Sequence, residues 1–280
     1  MSRSIEQLLP GIPTVEGNAV KLTRLLAQAL QQRLDPFLML DHFDNDEPND
    51  YVGGFPNHPH RGFETITYLL AGAMQHSDST GHTGTIQAGD VQWMCAGRGV
   101  VHSEMPQQNE GRLAGFQLWL NLPATEKMQT PWYKDLLSDT LPRFETEQGV
   151  KGCVIAGECH QTNGAIQRPF TEPLIVDLHL PANSQFTTDL PASHNAFFVV
   201  YEGVANVQGE EITPERLAIL RNDADDLTLS SNEPTKLLLI AGKPLKEPIA
   251  RYGPFVMNTP DEIQQAITEY RSGEFGDVAE

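Results

Sequence analysis

Two short pairs, His58-Pro59-His60 and His102-Ser103-Glu104, concentrate more chemistry than any other part of the chain. In each pair the two side chains that could bind a metal stand at i and i+2. Successive side chains on an extended strand alternate between faces, so this spacing aims both members of a pair to the same side. Two such strands laid together would bring three imidazoles and one carboxylate to a single point. Those donors suit a divalent transition metal and leave coordination positions over for water or substrate. Three neutral imidazoles and one carboxylate would reduce a divalent ion to a net charge of about +1, which favours an anionic bidentate oxygen ligand such as a deprotonated hydroxy-ketone. Glu104 would be placed to take the hydroxyl proton as a general base. His58, His60, His102 and Glu104 are therefore the candidate metal ligands, and Glu104 is the candidate catalytic group. A ligating imidazole also needs a partner for its second nitrogen, and Asp41, Asp44 and Glu64 are candidates for that part.

The elements that must carry these residues read as strands. Short apolar runs, Thr65 to Leu70, Ile86 to Met94, Phe116 to Leu120, Leu174 to Leu180, Phe197 to Tyr201, Leu217 to Leu220 and Leu237 to Ile240, are punctuated by 20 prolines and 23 glycines. That spacing predicts an all-β sandwich or barrel. One helix is expected near the C-terminus, with Thr259 as N-cap and Pro260 at the first position. It would lie on the outside of a barrel. The halves echo each other: Phe63 to Tyr68 runs into Gly72, and Phe197 to Tyr201 runs into Gly203. The pattern predicts a duplicated barrel with a linker around residues 124–150. We place an N-terminal metal-binding barrel at 1–130 and a C-terminal barrel without a metal site at 131–280. No histidine follows His194, and the strand Leu217 to Leu220 leads into Arg221-Asn222-Asp223 where a His-x-Glu would be needed.

Composition bounds the function. The chain has 280 residues and a formal charge of −18, from 37 acidic and 19 basic side chains. Such a surface repels phosphate backbones, so direct nucleic-acid binding is not expected, while a basic protein partner is compatible. Three cysteines, Cys95, Cys153 and Cys159, make no CxxC pair and suggest a reducing, cytoplasmic setting. The N-terminus lacks an apolar leader and no run approaches membrane length. A closed two-barrel chain needs no partner to bury its core, and a monomer is the expectation.

Several other features read as structural. His42, His76, His82, His160, His179 and His194 are taken as histidines without a metal role. The acidic stretch Asp41 to Asp50 does not fit a calcium loop, with Asn49 and Phe55 where glycine and glutamate are required, and reads as a solvated loop near the barrel mouth. Gly97-Arg98-Gly99 lacks the third glycine of a dinucleotide fingerprint and is explained by a tight turn. Cys95 reads as a buried, inert thiol. Trp93, Met94 and Phe55 would either line a pocket or pack the core.

The string His58-Pro-His60-Arg-Gly-Phe-Glu64 with Gly72 beyond it resembles the first cupin signature, and Gly89-Asp90 with Gly97-Arg98-Gly99-Val100-Val101-His102 resembles the second, with Gly97 where proline is usual. More specifically, FPNHPHRGFETITYLL, GHTG, GDVQWMCAGRGVVHSEMP and GPFVMNTPDEI resemble the pirin family over nearly the whole chain. The resemblance implies a bicupin, two double-stranded β-helix (jelly-roll) barrels, with one metal, usually iron, held in the N-terminal barrel by His58, His60, His102 and Glu104. Glu64, a ligand in many cupins, then falls outside the ligand set. Fe(II) is the first expectation, with Mn, Ni, Cu and Zn open to the same donors. The resemblance implies a quercetin 2,3-dioxygenase-like oxidoreductase that takes a flavonol and O2, opens the heterocycle and releases carbon monoxide. It also implies an alternative, a metal- or redox-responsive regulatory protein that binds a transcription factor or a metabolic enzyme.

Overall fold

The computed structural model describes residues 2–278. Among them every regular element is a strand or a short 3-10 turn apart from one α-helix, Pro260–Arg271. No helix of the described residues is long and apolar enough to cross a membrane. The chain divides into two compact units, each drawn from three segments: 1–12, 25–36 and 139–245 in one, and 13–24, 37–138 and 246–280 in the other. A single cut at residue 130 follows sequence order, whereas each unit takes strands from both sides of it.

The unit holding the two His pairs has a seven-stranded sheet in the order Trp132–Leu136, Val91–Cys95, Phe63–Ala71, Leu113–Asn121, Phe37–Asn45, Val20–Leu26, Ile12–Glu16. A four-stranded sheet, Phe55–His60, Val100–Pro106, Ala73–Asp78, Thr83–Gln87, faces it. Leu22, Phe43, Leu69 and Leu113 of the first sheet pack with Met74 and Ile86 of the second. The two sheets thus close a jelly-roll sandwich around a common interior. The other unit repeats the plan. Its seven strands are Ile5–Pro10, Arg216–Leu220, Asn195–Glu202, Thr235–Gly242, Leu174–Leu180, Lys151–Ala156 and Arg143–Glu145, with a four-stranded sheet of Ser184–Asp189, Asp226–Ser231, Ala205–Val207 and Glu210–Ile212.

The expected apolar runs are all strands, but Ile86 to Met94 is broken in two by a turn at Gly89-Asp90. Two readings need correction. The stretch 124–150, expected as linker, supplies an edge strand to each seven-stranded sheet, Trp132–Leu136 and Arg143–Glu145. The acidic stretch 41–50, expected as a solvated loop, begins inside the strand Phe37–Asn45, where Asp41 and His42 are buried. Asp41 tolerates burial because Arg24 grips both of its oxygens at 2.9 and 2.8 Å.

The helix starts as the sequence predicts, with a capping box between Thr259 and Glu262 and Pro260 in the first turn. Its buried side chains, Ile263 and Ala266, pack with Val101, Phe255, Met257 and Phe275. Val101 is the neighbour of His102, so the C-terminal segment braces the back of a strand that bears a candidate ligand.

Gly62 shows why backbone freedom is needed beside the first pair. Its φ is +86°, and a Cβ there would stand 2.0 Å from the Val256 carbonyl oxygen. Gly62→Ala should cost about 1–3 kcal/mol in left-handed strain before the clash is counted, seen as a lower denaturant midpoint at unchanged slope. Gly97, at φ +46°, occupies a conformation closed to proline, which accounts for its departure from the usual signature.

All three cysteines are free and buried, and burial pushes the Cys153 and Cys159 thiols up to about 11. A raised pKa keeps a thiol protonated and unreactive at all lower pH. A disulfide exchange reagent at pH 8 should therefore titrate none of the three in the native protein and all three after denaturation.

Candidate metal centre

The strands Phe55–His60 and Val100–Pro106 run antiparallel with His102 directly opposite His58 and Val100 opposite His60. Past His58 the register slips, so that Glu104 meets Phe55. This bulge falls at Pro56-Asn57, where Pro56 has no N–H to give to a ladder. The freed Pro56 carbonyl instead lies 2.9 Å from His58 Nδ1. With the proton on Nδ1, His58 donates there and turns its Nε2 lone pair inward.

The three inward nitrogens crowd one another. His58 Nε2 is 3.0 Å from His60 Nε2 and 2.9 Å from His102 Nε2. The ligand atoms of all three lie within 4.8 Å of one another. Two imidazoles bound to one ion at about 2.0–2.1 Å and at right angles have nitrogens about 3.0 Å apart, against about 3.4 Å for a tetrahedral angle. The separations from His58 match the right-angled case, so these residues can close on one metal ion. Burial, reinforced for His60 and His102 by the neighbouring imidazoles, lowers the pKa of His60 and His102 well below the ordinary histidine value. Burial lowers that of His58 as well. The group is therefore neutral, the form in which imidazole binds a metal.

Glu104 stands apart from this compact set of three. It is buried, and burial pushes its carboxyl up to about 7 against the hydrogen bonds from Thr67 and Gln117. Those contacts, at 3.1 Å from Thr67 Oγ1 and 3.4 Å from Gln117 Nε2, both reach Oε1. The Nδ1 of buried His76 is 3.6 Å from the same oxygen. Oε2 has no described protein partner, and Glu104 lines the same cavity as His58 and His60. Oε1 is thus held by the wall.

That cavity has a volume of about 530 Å³, the size of small-molecule sites in general. Phe55 and Trp119 line it, whereas Trp93 and Met94 are fully buried in the core. Asp41 and Asp44 do not serve the imidazoles: Asp41 is held by Arg24, and Asp44 pairs with Arg112 at 2.6 and 2.7 Å. Glu64 is fully buried on Phe63–Ala71, opposite Cys95 and Leu120. The sequence reading missed His76, Thr67 and Gln117. His76 sits on Ala73–Asp78 opposite Glu104, a pairing that no motif announces.

In the other unit the strands that take the places of Phe55–His60 and Val100–Pro106 are Ser184–Asp189 and Asp226–Ser231. Their inward side chains, Phe186, Leu227 and Leu229, belong to a large apolar core.

Comparison with known proteins agrees with this layout. The Pirin family model matches residues 19–120 and the Pirin C-terminal cupin domain model matches 175–276. The chain belongs to the pirin family. A Pseudomonas aeruginosa protein provisionally named a quercetin 2,3-dioxygenase is 49% identical over 97% of both chains. A pirin-like protein of Caulobacter vibrioides is 43% identical over 98% of this chain and 99% of its own. The crystal structure of a quercetin 2,3-dioxygenase from Acinetobacter baumannii superposes with a TM-score of 0.93 at 35% identity, covering 100% of each chain. Pirins bind a metal, and the histidine triad of this pirin can hold one.

The C-terminal segment also reaches the first candidate pair. Arg61, next to His60, pairs with Glu269 of the helix, donates to the Arg98 carbonyl at 2.6 Å and stacks 4.6 Å over the Phe275 ring. Glu269→Ala strands that buried guanidinium beside a ligand strand. Metal affinity should fall about tenfold, the lower end for residues that support metal ligands, with the fold retained, as measured by chelator competition.

Proposed function

We propose that this pirin is a metal-dependent dioxygenase of flavonol-like substrates, with His58, His60, His102 and Glu104 holding one divalent ion, Fe(II) first among the candidates. The reading is supported by the Nε2 atoms of His60 and His102 lying 3.0 and 2.9 Å from that of His58, with His58 and His60 on the wall of an open cavity. The relatives named as quercetin 2,3-dioxygenases supply the substrate class. A bound divalent ion would supply Lewis acidity toward a substrate oxygen and access to one-electron chemistry with O2.

The chain's own residues do the rest. His58 is oriented by the Pro56 carbonyl, so its tautomer is set before any ligand arrives. Thr67 and Gln117 fix Glu104 Oε1 at the cavity wall, which leaves Oε2 as the proton acceptor for an incoming hydroxyl. The Trp119 ring, edge-on to His60 at 5.2 Å between centroids, gives a flat apolar wall for an aromatic substrate. Phe55 and Met74 continue that wall and limit the room left for water.

His102→Ala should abolish both metal loading and turnover. The check is elemental analysis after anaerobic Fe(II) reconstitution, run beside carbon monoxide release from quercetin in air. Full metal content and full turnover in that variant would overturn the assignment. Metal loading without steady carbon monoxide release in the parent protein would instead favour the regulatory reading, to which the −18 charge lends an affinity for basic partners.

A further inference from the structure

Beyond the imidazoles and Glu104, four charged side chains line the cavity: Glu16, Arg24, Asp41 and Arg251. Three of them satisfy one another. Arg24 holds Asp41 through two hydrogen bonds and lies 3.0 Å from a Glu16 carboxylate oxygen. Arg251 feels the charges of Asp41 and Glu16 only at a distance. Its described hydrogen bonds are long, 3.4 Å to the Leu38 carbonyl and 3.5 Å to that of Gly253, and it makes no ion pair among the described residues. Its guanidinium instead lies 4.8 Å over the Trp119 ring. The same indole meets His60 edge-on and Phe63 at 4.4 Å between centroids, so one ring touches both a metal-binding imidazole and a cation with only long hydrogen bonds. A half-buried guanidinium whose neighbouring carboxylates, Glu16 and Asp41, already pair with Arg24 gains most from an acceptor brought by a ligand.

We propose that Arg251 is the specificity-determining residue of this pocket, engaging a carboxylate or phenolate oxygen at the far end of a planar aromatic ligand whose near end meets His58, His60 and His102. Trp119 forms the wall along which the ring lies. The proposal rests on the metal reading above and adds to it a second, anionic recognition point. Lysine cannot replace the residue fully, because a guanidinium both stacks on an indole and presents a planar fork to two oxygens.

Two simple probes separate the two recognition points: catechol, and 3,4-dihydroxybenzoate, which adds a carboxylate at the opposite end of the ring. Each is titrated into Fe(III)-loaded protein and followed by the visible charge-transfer band of the catecholate, a readout independent of turnover. The parent should bind 3,4-dihydroxybenzoate more tightly than catechol. Arg251→Met should weaken the carboxylate probe about tenfold, the expected effect of losing one charge-assisted hydrogen bond, and change catechol less than about twofold. Arg251→Lys should restore only part of the loss. Equal affinities in the parent, or an equal loss for both probes in Arg251→Met, would overturn the proposal. Arg251→Gln gives the same comparison if the methionine variant folds poorly. If neither probe produces a band although iron is bound, the imidazole group does not offer open positions to a ligand. The metal reading then fails first, a result distinct from failure of Arg251 alone.

Discussion

The Nε2 atoms of His60 and His102, each held about 3 Å from that of His58, are the constraint on which the rest of the structure depends. Without a cation such an arrangement is poor: at most one proton can lie between any two of the nitrogens, and burial opposes charging any ring. With a cation the same crowding becomes favourable. The fold must therefore hold the group against its own preference to spread. It does so with paired strands, with a bulge that turns the Pro56 carbonyl onto His58, and with apolar side chains packed behind Val101.

The C-terminal segment is best understood as part of that support. Its strands Ala250–Tyr252 and Phe255–Met257 form a small hairpin, and Val256 bonds to the Arg61 carbonyl through its N–H at 3.0 Å. The buried Lys127 ammonium draws the same region together, donating to the carbonyls of Gly62 and Val256 and to Asn121 Oδ1. A buried ammonium is costly unless its donors are used, and here three acceptors receive them. Residues from the far end of the sequence thus pack against strands whose candidate ligands all lie before residue 105.

Much of this was legible in the sequence, for a definite reason. His-x-His and His-x-Glu carry the two-residue period of a strand, so the residues that do chemistry also announce the element that holds them. The apolar runs and the capped helix were legible on the same ground. What escaped has no such local period. The pairing of His76 with Glu104 depends on strand register, and register is fixed by the whole sheet. The strand nature of Trp132–Leu136 was hidden because an edge strand buries little and therefore shows little alternation. Asp41 looked solvated because its partner, Arg24, lies on a different strand.

The two units show how one plan serves two ends. Both pair a seven-stranded with a four-stranded sheet, so the backbone alone offers each the same interior. The difference lies in what fills it. In one unit Phe186, Leu227 and Leu229 complete a continuous apolar cluster, in which burial alone is stabilising, at about 25 cal/mol per Å² of apolar area. In the other, polar groups take the corresponding strands and an open cavity takes the space, so that unit forgoes part of this stabilisation. The helix and Lys127 add packing and hydrogen bonds to that unit. A site with buried polar side chains and a cavity is affordable only where the surrounding chain supplies such bracing, and in this fold Lys127 and the segment from Ala250 to Phe275 supply it to the unit with the imidazoles.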